Sequence, residues 1–136
     1  MKTSTFLSTY GPLYLEDPNA DIASMLKRDG FDSGEPDHYG FMMKKQDPLE
    51  ESKKLRERFD EEGLECSCYS RGMSMLDITR EEAVARLKAS VDVCEILRAP
   101  VFHHTIQLSF HSPMISLWQK HVDYFADICR EVAYYA

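Results

Sequence analysis

Apolar positions along the chain switch between two spacings. From Thr79 to Leu97, the residues Ala83, Val84, Leu87, Val91, Cys94 and Leu97 recur at helical intervals, and Met114, Trp118, Val122, Phe125, Cys129 and Val132 do the same between Pro113 and Tyr135. Between these two amphipathic stretches lies Ala99-Pro100-Val101-Phe102-His103-His104-Thr105, which opens as a short apolar run and ends in two adjacent histidines. An apolar run flanked by helices predicts a buried parallel strand.

The same unit repeats upstream. Ser4 to Thr9 is β-prone and predicts strand one, broken by Gly11-Pro12. Asp17, Pro18 and Asn19 supply cap chemistry for a helix from about Asn19 to Arg28, with Ile22, Met25 and Leu26 on its inner side. Gly30 suits the left-handed position after that helix. Phe31 to Pro36 is strand two, short and polar, and Pro36 ends it because proline has no N–H for a ladder. Asp37 to Gln46 is a loop. Asp47-Pro48 opens a second helix with Leu49, Ser52, Leu55 and Phe59 on one stripe and Gly63 at its end. Leu64 to Ser70 is strand three, followed by a loop from Arg71 to Asp77. Thr79 and Glu82 form a capping-box pattern at the start of the third helix.

Strand starts therefore fall near residues 4, 31, 64 and 99, each followed by a loop and a helix. Four consecutive βα units predict a single α/β domain over residues 1–136, with parallel strands and right-handed crossovers. Two architectures fit: half of a (β/α)8 TIM barrel, or a small open doubly wound sheet.

Composition narrows the partners. The chain has 136 residues, enough for one core, and a net charge of −7, which opposes nucleic acid and anionic membrane surfaces as partners. The Lys53, Lys54, Arg56 and Arg58 set is interleaved with Glu50, Glu51, Glu57 and Asp60, the pattern of a solvated helix face. No run reaches the ~20 apolar residues of a membrane span, and Met1 to Thr9 does not read as a signal peptide, so a cytoplasmic location is expected. Cys66, Cys68, Cys94 and Cys129 are then expected to be reduced core thiols. Cys66 and Cys68 are placed on one strand face. No P-loop, GxGxxG, GxSxG or HExxH pattern is present.

Ligands of α/β proteins sit at the carboxyl ends of the strands. That places Glu35, His103 and His104 in the candidate catalytic region. Strand alternation lets only one of the two histidines face a barrel interior. A histidine there can carry a proton near neutral pH. A carboxylate at the end of a short buried strand is costly unless paired or used. His38, Tyr10 and His111, in carboxyl-side loops, are the candidate substrate contacts. His121 lies mid-helix and reads as structural. No metal ligand is assigned.

Several passages resemble the sugar isomerases and epimerases with a xylose-isomerase-like TIM barrel. Leu26-Lys27-Arg28-Asp29-Gly30-Phe31-Asp32-Ser33-Gly34-Glu35 is similar to that family's helix-Gly-Phe-Asp-Gly-x-Glu passage. Phe59 to Glu65 resembles its next helix-to-strand join. Arg80 to Lys88, followed by Val91-Asp92 and Ala99-Pro100-Val101, resembles its third helix and fourth strand, and Ile128 to Ala136 the helix leading to strand five. Arg98 stands where the family has Gly, and Pro36 where it has an apolar residue. The resemblance implies the N-terminal half of a sugar or sugar-phosphate isomerase/epimerase barrel that moves a proton next to a carbonyl once complete. It further implies that Glu35 lines the site and holds sugar hydroxyls. A divalent metal (Mn, Mg, Zn or Co) is implied for the whole barrel, held mainly by strands five to eight. Four strands alone leave two edges, so either a missing C-terminal half or a homo-oligomer is expected to pair with them. A non-catalytic half-barrel that dimerises is one alternative. A flavodoxin-like binding module is another, but no phosphate-binding first loop follows strand one.

Overall fold

A computed structural model describes residues 2–11, 16–17, 20–38, 40, 47–74, 78–107 and 118–136, with backbone alone at 106, 107 and 118–120. It shows a mixed α/β fold of short parallel strands and helices, open rather than closed into a barrel among the described residues. The order is β1 (Ser4–Phe6), a 3-10 turn (Leu7–Tyr10), α1 (Ile22–Arg28), β2 (Ser33–Glu35), α2 (Pro48–Glu62), β3 (Glu65–Cys66), β4 (Tyr69–Ser74), α3 (Arg80–Leu97), β5 (Phe102–Gln107) and α4 (Trp118–Ala133).

β1 pairs in parallel with β2, and β2 with β3, with Thr5, Gly34 and Cys66 in one row and Phe6 beside Glu35. β4 pairs in parallel with β5 from Tyr69↔Phe102 to Ser74↔Gln107. The two sheets join through one stretch of chain. Ser67 N–H donates to Gly34 O (3.2 Å) and Ser70 N–H to Pro36 O (2.9 Å), while Tyr69 N–H donates to Val101 O (3.0 Å). β3 and β4 are thus two halves of the third strand, paired first with β2 and then with β5. The helices follow the same sequence: α1 packs on α2, α2 on α3 and α3 on α4.

Local chemistry explains the boundaries. Asp47 caps α2 by accepting from the N–H groups of Leu49 (2.8 Å) and Glu50 (3.2 Å), with Pro48 in the first turn. Thr79 caps α3 by accepting from Glu82 N–H at 3.2 Å. Gly30 and Gly63 close their helices at φ +86° and +66°. Arg98 takes the same left-handed position at φ +54° where α3 ends.

Several boundaries differ from the sequence reading. Strand one stops at Phe6 rather than Thr9: Leu7 turns into the core, and Ser8 N–H donates to Asp37 Oδ2 at 3.1 Å instead of a ladder. Helix α1 begins at Ile22 because Asp21 is its cap, accepting from Ser24 N–H. Strand four begins at Phe102 because Ala99 N–H is still bonded to Cys94 O at the end of α3. Arg71 to Ser74, read as loop, is strand: Met73 packs in the core and Arg71 is held from above by α3. Strand three is interrupted at Ser67-Cys68, where the alternation resets so that both Cys66 and Tyr69, three apart, enter the core. On α4 the buried stripe is Phe125, Ile128 and Val132; Val122 and Cys129 are exposed, one residue off that line. The predicted helix start at Pro113, and Met114, lie outside the described residues.

The core lies between the sheets and the helices. Phe59, Leu26, Leu97, Tyr69 and Leu87 are fully or almost fully buried there. β2 can sit this close to the helices only because position 34 is glycine. A Cβ there would meet Phe59 Cζ at 2.7 Å, Leu7 Cδ1 at 2.9 Å and Leu26 Cδ1 at 3.0 Å.

Candidate functional site

Two sides of the sheet carry different chemistry. Gly34, Tyr69, Arg71, Phe102 and His104 turn toward the helices, so their neighbours Glu35, Ser70 and His103 turn away from them. On that face, helix-free among the described residues, His103, Thr105 and Phe6 are exposed, and Glu35 and Ser70 are half-buried. The strand register lines these groups up across the sheet: Phe6 and Glu35 end β1 and β2, the Asp37–Ser70 bridge lies beyond Glu35, and Ser70 pairs with His103 near the amino ends of β4 and β5, not at the carboxyl end where the sequence places the histidines, because β5 runs on to Gln107.

Ser70 Oγ lies 3.3 Å from His103 Nδ1. A hydroxyl both donates and accepts, so this bond survives in either tautomer of the ring and fixes the imidazole with Nε2 directed elsewhere. Cys68 belongs to the same group. Burial first, then the nearby Glu35 carboxylate, raises its thiol above the ordinary range, while a hydrogen bond to Ser70 and one involving the His103 backbone pull the other way. A raised thiol is a poor nucleophile. The arrangement is therefore an orientable histidine with a carboxylate nearby, suited to proton transfer and hydroxyl recognition.

The remaining candidates sit elsewhere. His104 faces the helices, stacked on Phe102 with ring centroids 5.9 Å apart, and its Nδ1 lies 2.9 Å from Arg71 O. A carbonyl only accepts, so Nδ1 carries the proton. Burial lowers its pKa, and the Arg71 charge adds to this. His38 Nδ1 lies 3.2 Å from the hydroxyl of the buried Tyr69. Desolvation, then the charges of Arg71 and Arg86, take its pKa down to about 4, so this ring is neutral at physiological pH. Tyr10 leaves the strand ends altogether: its hydroxyl donates to Asp29 Oδ2 at 2.8 Å, past the end of α1, and it packs on the helix-side core. His111 lies outside the described residues. His121 is half-buried on α4 beside Phe125, with an unpartnered Nδ1. The structure thus brings Glu35 and His103 to one face and places His104, His38 and Tyr10 on the other.

Sequence reasoning missed Ser70, Cys68 and Arg71. The signal for Ser70 was available: in a parallel pair, a hydroxyl in register with His103 becomes its neighbour once the pairing is known. Arg71 gave no signal, because only the tertiary fold turns it inward.

All four cysteines are free, Cys66 and Cys94 buried, Cys68 half-buried and Cys129 exposed. Burial pushes Cys66 up to about 12 and Cys94 up to about 11. Among the described residues no group of three or more His, Cys, Asp or Glu gathers closely enough to hold a metal ion. No described helix is long and apolar enough to cross a membrane. Compared with known proteins, the chain matches no family model, no curated protein and no solved structure.

Proposed function

We propose that the chain forms four βα units of a sugar or sugar-phosphate isomerase/epimerase barrel, with the helix-free sheet face as its substrate surface. The observation that supports this best is the ordering. Strands and helices both succeed one another in chain order, and Glu35, Ser70 and His103 collect on the face the helices leave free. A doubly wound sheet reverses its strand order at a switch point and divides its helices between both faces.

In this reading His103 takes the proton from the carbon next to the substrate carbonyl through Nε2 and returns it to the neighbouring carbon. Nδ1 carries its hydrogen both in the neutral base and in the imidazolium, so Ser70 Oγ accepts from Nδ1–H throughout and the ring stays oriented through both steps. Glu35 accepts hydrogen bonds from sugar hydroxyls. The resembled family uses a divalent metal to polarise the substrate oxygens. The resemblance places that metal's ligands mainly on strands five to eight, which further sequence or a partner chain would supply.

Deuterium incorporation tests this. The assembled barrel, as the dimer or as the chain with the further strands that complete it, is incubated in D2O with Mn2+ and a panel of aldoses, ketoses and their phosphates, and exchange at the carbon next to the carbonyl is followed by proton NMR. Exchange with at least one sugar is expected, falling about 10²–10⁴-fold in His103→Ala and clearly in Glu35→Gln with the fold retained. Exchange with none of the panel, or wild-type exchange in both variants, defeats the assignment.

A further inference from the structure

On the helix side, Arg71 stands apart from the other arginines. Arg28, Arg56, Arg58, Arg80, Arg86, Arg98 and Arg130 each sit within salt-bridge distance of a carboxylate. Arg71 has no such carboxylate among the described residues, although it is half-buried in a chain of net charge −7. Among the described residues its two hydrogen bonds both run from Nη1, to Arg86 O (3.0 Å) and to the buried Ser90 Oγ (3.1 Å). The Nε–H is buried and donates to nothing. A guanidinium cannot shed its proton, and a buried donor left unmet is costly. The edge containing Nε is also the one that grips a carboxylate or phosphate with two parallel hydrogen bonds.

A complementary group stands next to it. His104 is the register partner of Arg71 and faces the same side. Its Nδ1–H is used on Arg71 O, which leaves Nε2 as a bare acceptor, and that atom is buried and unpartnered. The pair thus offers a cationic donor edge and one acceptor on register-paired residues of the same sheet side, with no carboxylate within salt-bridge distance of Arg71 among the described residues. His38, neutral and under the influence of the Arg71 charge, adds no negative charge.

We infer that Arg71 and His104 form a binding site for an oxyanion that also carries a hydroxyl, hydrogenphosphate being the simplest example. Anionic oxygens take the donors of Arg71, and the hydroxyl donates to His104 Nε2. The site lies on the opposite side of the sheet from Glu35 and His103 and stands independently of the isomerase reading.

The test is a titration of the whole protein with inorganic phosphate, sulfate and chloride at constant ionic strength and neutral pH, read by the shift in Tm and by 31P line broadening. Saturable binding of phosphate, weaker binding of sulfate (which lacks the hydroxyl) and none of chloride are expected. Arg71→Lys keeps the charge but loses the fork, and is expected to weaken phosphate about tenfold or more. His104→Asn keeps a donor for Arg71 O but removes the acceptor, and is expected to erase the preference for phosphate over sulfate. Equal effects of the three anions overturn the proposal, as does wild-type phosphate affinity in Arg71→Lys. Should Arg71→Lys not fold, an unchanged phosphate preference in His104→Asn overturns it alone. A parallel titration with glycerol phosphate separates the free ion from a phosphate monoester as source. Tighter binding of either one upholds the site and names which it takes.

Discussion

At position 34 a single missing methyl group decides how closely β2 meets α2. The Phe59 ring that a Cβ would strike is itself fully buried, so it has no room to yield. Gly34→Ala is therefore expected to destabilise the protein by about 1–3 kcal/mol through overpacking, measured by urea denaturation. Adding Phe59→Leu should return part of the loss; no recovery would mean the cost arises from something other than this contact. His38 controls a different property. Its pKa is 6.5 in the unfolded chain and about 4 in the fold, so between these values the unfolded state takes up a proton that the native state refuses. Its contribution is whole above pH 6.5 and is lost as the pH falls toward 4. His104 is shifted in the same direction. Discounted for its partial exposure, the His38 share is about 1–2 kcal/mol. Denaturation at pH 7 and pH 5 should show a smaller acid loss in His38→Gln than in the wild type; equal losses would show that the ring titrates normally in the fold.

Elements show which information is local. Asp47, Thr79, Gly30 and Gly63 were legible because a cap is a hydrogen bond or a dihedral angle within four residues of itself. Glu35 was legible as a strand-end group because Pro36 marks the end of β2 locally, whereas His103 was not, because β5 runs on to Gln107 in its pairing with β4. The reset at Ser67-Cys68 was not, because the chain there changes sheet partner, and partners are set by tertiary packing. Nor was the rotation of α4 by one residue, since Cys129 and Ile128 are both apolar and only the surface of α3 and β4 beneath them chooses. Arg98 is a local signal set against its own geometry. A side chain in the left-handed region costs roughly 1 kcal/mol relative to glycine, and the Arg98–Asp60 contact (3.3 Å, side chains 70% and 48% exposed) returns little of it. Arg98→Gly is expected to raise stability by about 0.5–1 kcal/mol in the same denaturation assay. A loss would show that the exposed ion pair outweighs the dihedral strain.

For the whole molecule, the question is what meets the far side of the sheet. Among the described residues β1 pairs only with β2 and β5 only with β4, so the array ends in two open strands. Its helix-free face is not a dry core: Ser70, His103, Glu35 and Thr105 lie there, and Phe6, 41% exposed, is the large apolar group beside the first edge. A polar face with an apolar rim at its edge suits a completing array that pairs at the edges and leaves a wet, chemically active middle. If a second copy supplies that array, burying Phe6 contributes about 2 kcal/mol per chain, and a charge at that position opposes the pairing without disturbing the helix-side core. Sedimentation equilibrium of the wild type should then show a reversible dimer, and Phe6→Lys a monomer with an unchanged circular dichroism spectrum. A wild-type monomer at the highest soluble concentration removes the second copy as the completing half. A Phe6→Lys dimer as tight as the wild type places the contact elsewhere on the molecule.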